Sequence, residues 1–308
     1  MSQPTPPVAF FIFNRPEPTR RVFAAIRRAQ PSQLLLVADG PRPDRPGEVE
    51  RCAAARAMLS AVDWPCEVLT NFSQVNLGCR ARLSSGLDWV FSTVEEAIIL
   101  EDDCLPHPDF FPFCAELLER YRDDERIMHI GGVNFQSGHR YGPASYFFSR
   151  YTHIWGWASW RRAWQHYDVT MSRWPAAREQ VLAAFESRPE RQYWQHAWEQ
   201  VFNGKLDTWD YQWSFACAEQ GGLVALPNVN LVSNIGFGPE ALHTKVSTSL
   251  AAIPTSPLTW PLQHPPAVIR NVAADGQMRN VYHLPGLLRR AIRRLARTFA
   301  AAKGRQHI

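Results

Sequence analysis

The chain has 308 residues, of which 45% are hydrophobic and 20% are charged, which is typical of a soluble globular protein. A chain of this length can bury a core large enough to fold without disulfides or a structural metal. The formal net charge is +4, but residues 284–308 contribute +7, which leaves −3 for the rest. A body without excess basic residues disfavours nucleic-acid binding.

Several other classes of protein are disfavoured by short-range patterns. No apolar run reaches 18 residues, so we expect no membrane-spanning helix. The N-terminal residues lack the basic start and apolar stretch of a secretion signal. The six cysteines form no CxxC pair, which makes a thiolate zinc site improbable and favours reduced thiols. We therefore expect a cytoplasmic protein.

Apolar runs alternate with helical patterns over the first hundred residues. Strands are predicted at residues 8–13, 34–38, 67–70 and 97–100. Helices are predicted between them, at residues 17–29, 48–60 and 78–91. This alternation predicts right-handed βαβ units in an α/β fold, with a mostly parallel central sheet flanked by helices.

Polar residues follow three of the predicted strands. They are Asn14-Arg15, Asp39 and the triplet Glu101-Asp102-Asp103, which we call the acid cluster. Because ligands bind at the carboxyl ends of the strands in such sheets, we expect these side chains to share a site. Neither GxGxxG nor GxxxxGK[ST] occurs, so the dinucleotide and P-loop motifs are absent.

The composition changes in the middle of the chain, where nine of the twelve tryptophans lie between residues 155 and 213. We therefore predict a first half at residues 1–104 and an aromatic-rich second half of the same domain at residues 105–250. Residues 251–283 contain many prolines and are predicted to be an irregular linker, followed by a tail at residues 284–308.

The acid cluster places three carboxylates side by side at a strand end. A divalent cation relieves their mutual repulsion, and magnesium-type ions use one or two carboxylates together with substrate phosphates. A short acidic motif is by itself more often a solvated turn. Its position after a buried strand favours a Mn²⁺ or Mg²⁺ site.

Residues 98–105, followed by Pro108-Asp109-Phe110-Phe111, resemble the metal-binding segment of the N-acetylglucosaminyltransferase I family. Residues 13–15 with 19–21 resemble its first strand-to-helix segment, and residues 37–40 its second strand end. The chain is also similar to bacterial family-2-type glycosyltransferases, and the resemblance extends over about residues 8–245.

The resemblance implies a GT-A fold, an inverting transfer and a manganese or magnesium ion. It also implies that the first half binds a nucleotide-sugar. The roles it implies for single residues are a metal ligand for Asp103, a ribose contact for Asp102, a donor-sugar contact for Glu101, diphosphate neutralisation for Arg15 and a nucleobase contact for Asp39. Arg80 and Arg82 open the next helix and could assist at the diphosphate, or could form plain surface ion pairs.

An inverting transfer needs a general base. The resemblance favours Asp210, in the Trp- and Asp-rich segment at residues 207–213. The family's paired acids are adjacent, whereas Asp207 and Asp210 are three residues apart. Asp207 is therefore either the alternative base or a helix N-cap.

Three tryptophans in the block at residues 153–160, namely Trp155, Trp157 and Trp160, are candidate acceptor-binding residues because indole faces pack on sugar rings. An aromatic core would have the same composition. His243 follows a glycine-containing loop and is a candidate second metal ligand, although a lone histidine is more often an ordinary residue.

The tail has its apolar residues on one helical face and its arginines on the other. This pattern predicts an amphipathic helix on an anionic membrane surface, at the cytoplasmic face, unless the tail is simply solvated.

Together these features predict an inverting glycosyltransferase. It would transfer a sugar from a nucleotide-sugar, such as a UDP-N-acetylglucosamine-like donor, to a saccharide or lipid-linked acceptor. A sugar nucleotidyltransferase is the first alternative, but such enzymes usually have a Gly-rich basic loop where this chain has residues 14–18. The second alternative is a non-catalytic carbohydrate-binding protein, in which an intact acid cluster would be unexpected.

Overall fold

One central sheet organises the part of the chain that the computed structural model describes, residues 4–236 and 252–282. Its strands are β1 (Val8–Ile12), β2 (Gln33–Ala38), β3 (Glu67–Phe72), β4 (Glu96–Glu101), β6 (Ile127–Gly131), β7 (Tyr146–Ser149), β8 (Trp157–Trp160) and β9 (Leu223–Pro227). They lie in the order β3-β2-β1-β4-β8-β6-β9-β7, with β8 and β7 antiparallel to the other six. A separate antiparallel pair joins β5 (Cys104–Pro106) to β10 (Val232–Asn234).

Helices cover the sheet and complete an α/β architecture. They are α1 (Pro16–Ala29), α2 (Glu48–Ala57), α3 (Gly78–Thr93), α4 (Phe110–Arg120), α5 (Arg161–Trp164), α6 (Trp174–Ala183), α7 (Arg188–Phe202), α8 (Asp210–Glu219) and α9 (Val272–Tyr282). The predicted α/β fold with a mostly parallel, Rossmann-like sheet is confirmed.

The first strand, β1, shows why a continuous apolar run predicts a buried strand in this sheet. Side chains alternate between the two faces of a strand, and every residue of β1 is buried. Val8, Phe10 and Ile12 join the core on one face, while Ala9 and Phe11 join the core on the other. A parallel strand covered on both faces needs a continuous apolar run, which is what the sequence provides.

The aromatic-rich half forms its own core beside the sheet. Trp174, Trp198 and Phe215, from α6, α7 and α8, pack together with ring centroids 5.6–5.7 Å apart. Most of the tryptophans in this half therefore stabilise the fold by burial.

The described part of the predicted linker lies against the body. The amide of Ser256 donates to the Asn230 carbonyl at 2.9 Å, and the amide of Leu258 donates to Asp109 Oδ2 at 2.7 Å. The segment is irregular as far as Arg270, and α9 follows it, which the sequence analysis did not predict.

Two predictions fall outside the described ranges. His243 and the basic tail at residues 284–308 are among the residues of which nothing is described. Within the ranges given above, no helix is long and apolar enough to cross a bilayer.

Candidate functional site

A cavity of about 720 Å³, the first cavity, opens where β1, β2 and β4 end. Parallel strands bring their carboxyl ends to the same edge of a sheet, so residues distant in sequence meet here. The predicted site residues that line the cavity are Arg15, Asp39, Glu101, Asp102, Asp103, Trp155 and Asp210. The strand ends selected from the sequence therefore border one cavity, and the roles of their residues stay predictions.

Arg15 joins the end of β1 to the acid cluster. Its guanidinium pairs with Asp102 through Nη2 and with Asp103 through Nη1, the second contact being 3.0 Å long. Asp102 also accepts a hydrogen bond from the Phe13 amide at 3.3 Å. Because Pro16 begins α1 directly after Arg15, the junction between strand and helix is short and places this arginine at the floor of the cavity.

The acid cluster is electrostatically crowded. Burial raises the pKa of Glu101, and the charges of Asp103 and Asp102 raise it further. Burial also raises the pKa of Asp102, although the neighbouring Arg15 partly offsets this effect. For Arg15 itself burial lowers the pKa, but the charges of Asp102 and Asp103 outweigh burial and raise it overall. One guanidinium thus faces three carboxylates, and a second cation would stabilise the charged form of the cluster.

The donor set fits a divalent ion only if the ion is shared with a ligand. Within residues 4–236 and 252–282, no three His, Cys, Asp or Glu side chains are arranged to hold a metal. Asp103 lines the cavity with 15% of its side chain exposed. One carboxylate together with substrate phosphates is a common arrangement for magnesium-type ions. The assignment of Asp103 as a metal ligand stays a prediction.

Gly236 is a part of the site that the sequence analysis did not single out. It follows β10, where the amide of Ile235 donates to the Asp103 carbonyl at 2.8 Å. A Cβ added at Gly236 would lie 2.1 Å from Asp103 Oδ2 and 2.7 Å from Arg15 Nη1. Only glycine permits this approach. The glycines around residues 236–238 were the available signal in the sequence.

Asp39 lies on the cavity wall, and both of its carboxylate oxygens accept hydrogen bonds. Oδ1 accepts from the amides of Gly40 and Leu77, both at 2.9 Å, and Oδ2 accepts from the amide of Gly78 at 3.1 Å. Burial raises the pKa of Asp39, and these amide contacts partly offset the shift. Asp39 therefore anchors the start of α3 to the end of β2. Its contact with a nucleobase stays a prediction.

Arg80 and Arg82 have different surroundings. Arg80 is 40% exposed, and its Nε lies 3.0 Å from Asp207 Oδ1. Arg82 is buried and lines the first cavity, where Nη2 donates to the Asn71 carbonyl at 2.5 Å. Arg80 is thus held in a surface ion pair with Asp207. Of the two arginines, Arg82 is the one that lines the cavity. Arg42, which the sequence analysis did not select, also lines the cavity.

Asp210 is the first residue of α8 and accepts a hydrogen bond from the Thr208 hydroxyl. Asp210 and Glu101 both line the first cavity, and the negative charge of Asp210 is among the causes that raise the pKa of Glu101. Asp210 also lines a second cavity of about 230 Å³. Asp207 lines only the first, with 69% of its side chain exposed. Asp210 as the base stays a prediction.

The three tryptophans predicted to bind an acceptor are separated by the structure. Trp155 lines both cavities, but Trp157 and Trp160 are 0% and 2% exposed. Their strand, β8, lies inside the sheet between β4 and β6, and all four of its residues are buried. The prediction that Trp157 and Trp160 contact an acceptor is wrong because neither side chain reaches a cavity.

Comparison with known proteins shows no matching family model and no matching curated sequence. The chain resembles the solved structure of CMP:2-keto-3-deoxy-manno-octonic acid synthetase complexed with CTP, with 13% identity and a TM-score of 0.35, over 72% of this chain and 88% of that chain. It also resembles 4-diphosphocytidyl-2C-methyl-D-erythritol synthase from Anaerococcus prevotii DSM 20548, with 9% identity and a TM-score of 0.31, over 65% and 84% of the two chains. These values describe a likeness in general fold.

Both solved structures are nucleotidyltransferases, which contradicts the expectation of an inverting glycosyltransferase. A likeness in fold alone does not assign their reaction to this chain.

Proposed function

We propose that the chain is a metal-dependent nucleotidyltransferase that joins the nucleotidyl group of a nucleoside triphosphate to a sugar. The observation that carries the proposal is the acid cluster, held by Arg15 at the floor of a 720 Å³ cavity. A cavity of this size accommodates a nucleotide. We also propose that residues 1–104 bind the nucleotide and that residues 105–250 provide the second substrate's site.

The charges around the first cavity support a requirement for a cation. Its described lining contains six acids, at positions 39, 101, 102, 103, 207 and 210, but three arginines, at positions 15, 42 and 82. A triphosphate would be repelled by this excess of carboxylates. A divalent ion bound at Asp103 together with the phosphates would reverse the local charge.

In the proposed reaction, a sugar hydroxyl oxygen attacks the α-phosphorus of the nucleotide. A new phosphorus–oxygen bond forms, the bond between the α-phosphorus and the β-bridging oxygen breaks, and pyrophosphate leaves. Asp210 accepts the hydroxyl proton, and Arg15 stabilises the charge on the phosphate oxygens. A divalent ion held by Asp103 would supply further charge neutralisation on the leaving pyrophosphate.

The junction after β1 explains why the cation would matter more here than in enzymes with a Gly-rich basic loop. This chain passes from Ile12 to Pro16 in a few residues, and Arg15 is the one cationic side chain from that junction. Phosphate binding would therefore depend on Arg15 and the ion together. We expect nucleotide affinity to fall steeply when the ion is removed.

The test is to incubate the full chain with each nucleoside triphosphate, a panel of sugars and Mn²⁺ or Mg²⁺. The products are followed by ³¹P NMR. We expect metal-dependent release of pyrophosphate and a loss of at least about a hundredfold in kcat for Asp103→Asn, because charge neutralisation at the phosphates would be lost. Asp44→Asn, an exposed aspartate outside the cavity, is the matched control.

Two outcomes would overturn the proposal. One is the absence of pyrophosphate with every triphosphate, while nucleotide-sugars are consumed to nucleoside diphosphates. The other is full activity in Asp103→Asn.

A further inference from the structure

Arg42 lines the first cavity, and the reaction described above gives it no role. It lies in the loop after β2, with 34% of its side chain exposed. We propose that Arg42 binds the β- and γ-phosphates of the nucleoside triphosphate and that the buried Glu48 is the positioning residue that holds it. This role rests on the proposed function for the presence of a triphosphate, and it adds the residue that distinguishes a triphosphate from a monophosphate.

Glu48 holds the guanidinium of Arg42 in one orientation. The Glu48 side chain is fully buried, and its oxygens accept from Arg42 Nε at 2.9 Å and from Arg42 Nη2 at 2.5 Å. The backbone amide of Arg42 donates to the same carboxylate at 2.7 Å. The hydrogen bonds from Arg42 lower the pKa of Glu48 to about 2, although burial opposes them, so Glu48 is charged at neutral pH. A guanidinium fixed in this way loses little conformational freedom when it binds a ligand.

One edge of the Arg42 guanidinium remains for a ligand. Glu48 occupies the edge formed by Nε and Nη2, and among the described residues no acceptor is hydrogen-bonded to Nη1. The two Nη atoms form a second pair of donors in the plane of the guanidinium, and such a pair binds two oxygens of one phosphate. Glu48 does not line the cavity. A ligand in the cavity would therefore contact the arginine and not its carboxylate.

Phe13 places Arg42 close to the acid cluster, where the phosphates are proposed to bind. The Arg42 guanidinium lies over the Phe13 ring, 5.5 Å from its centroid. The Phe13 amide donates to Asp102 Oδ2 at 3.3 Å, so the backbone of this residue contacts the acid cluster. Arg42 approaches the end of β1 from the loop after β2, whereas Arg15 pairs with carboxylates that follow β4. The two arginines thus flank the end of β1.

Glu48 also connects the two arginines. The side-chain amide of Asn14 donates to Glu48 Oε1 at 2.7 Å, and Asn14 is the buried neighbour of Arg15 in the chain. One buried carboxylate therefore fixes the loop after β2 relative to the junction after β1. Two guanidiniums at a fixed separation suit a chain of linked phosphates. Each further phosphate adds negative charge beside the carboxylates of the cavity, which a second arginine would offset.

Titration calorimetry on the full chain tests the role of Arg42 through the number of phosphates. The ligands are the mono-, di- and triphosphate of the nucleoside whose triphosphate binds most tightly, each with saturating Mn²⁺. In Arg42→Gln we expect triphosphate affinity to fall at least about tenfold, the usual contribution of a charged hydrogen bond, and monophosphate affinity to change by less than about twofold. Arg42→Lys keeps the charge but not the two-donor edge, so its loss should be intermediate.

Glu48→Gln tests the positioning role. The amide has the size of the carboxylate but not its charge, so Arg42 would be held less firmly. We expect the triphosphate to lose affinity, as in Arg42→Gln, and the monophosphate to bind as before. A purely structural role of Glu48 would weaken the binding of both ligands alike. Arg27→Gln is the matched control, because it breaks an exposed ion pair with Asp63 outside the cavity and should leave all three affinities unchanged.

Urea denaturation shows that each variant is folded under the conditions of the titration. If no triphosphate binds the unmodified chain, the proposed function fails, and the role of Arg42 fails with it. If the triphosphate binds, the role of Arg42 alone is overturned when Arg42→Gln binds it normally. It is also overturned when mono- and triphosphate lose affinity equally, which would show that Arg42 contacts the base or the ribose. Normal triphosphate binding in Glu48→Gln would remove the positioning role.

Discussion

Arg15 brings a positive charge to the acid cluster, because it pairs with both Asp102 and Asp103. Gly236, which follows β10, lies against the side chains of Arg15 and Asp103. The spacing of these residues leaves no room for an additional carbon atom. The first cavity is therefore shaped by a backbone position as much as by charged side chains.

A methyl group at Gly236 should disturb the site without disturbing the core. In Gly236→Ala the Cβ would overlap Asp103 Oδ2, so Asp103 or Arg15 must move. We expect Mn²⁺-dependent nucleotide affinity, measured by calorimetry, to fall at least tenfold. Ser60→Thr, which adds a methyl group at an exposed position outside the cavity, is the control. Equal nucleotide affinity in Gly236→Ala and the unmodified chain would contradict this account.

At the scale of secondary-structure elements, β8 is where the prediction from sequence and the structure differ most, because its tryptophans are buried. Trp157 packs on His129 with centroids 4.9 Å apart, and Trp160 donates from its indole to the Leu118 carbonyl at 3.2 Å. A Trp-Gly-Trp pattern suits both a sugar-binding wall and a buried strand, and composition cannot distinguish them. The burial of β8 distinguishes the two possibilities. This burial depends on contacts with elements distant in sequence, such as β4 and β6.

A pair of substitutions separates the two roles. Trp157→Ala should lower the free energy of unfolding by about 3–5 kcal/mol, because it leaves a large cavity in the core. Trp155→Ala should cost less stability, since Trp155 is partly exposed between the two cavities. Urea denaturation measures both effects. Equal losses of stability would show that Trp155 is also a core residue.

Three of the four predicted strands have a continuous apolar run. They are β1, β2 and β4, which are covered on both faces, so the run and the strand coincide, and their ends border the first cavity. The strands of the second half, which are three to five residues long, were not predicted, and β6 among them is interrupted by His129 and Gly131. Gly236 and Arg42 join the site only through tertiary contacts, which no local pattern contains.

At the scale of the whole molecule, the buried side chain of His129 joins β6 to α8 and to the segment that precedes β8. Its Nδ1 accepts from the Trp213 indole at 3.1 Å, and its Nε2 lies 3.1 Å from the His153 carbonyl, to which it donates. Burial lowers the pKa of His129 to about 3. The neutral ring satisfies both contacts, and protonation at Nδ1 would break the one to Trp213.

This environment predicts acid sensitivity. The unfolded chain binds a proton at residue 129 below about pH 6.5, whereas the folded chain does so only near pH 3. Stability is therefore lost as the pH falls through that window, by about 2 kcal/mol for this histidine between pH 7 and pH 5. Urea titrations at several pH values measure it.

The variant His129→Gln does not titrate, so its stability should depend less on pH by that amount, although it is less stable at neutral pH. His196→Gln, at an exposed position of α7, should keep the full dependence. An unchanged pH dependence in His129→Gln would mean that other groups cause the acid sensitivity.

The aromatic core has one further consequence, because it reaches the wall of the first cavity. Trp209 lines that cavity and stacks on Trp157, with centroids 6.0 Å apart and an angle of 25°. Trp157 in turn lies 5.9 Å from Trp213, which lies 5.2 Å from Trp164. Indoles at these separations couple their electronic transitions, and the coupling contributes to the circular dichroism of the protein. A nucleotide bound beside Trp209, as proposed, would change the environment of this group, so the circular dichroism would report whether the cavity is occupied.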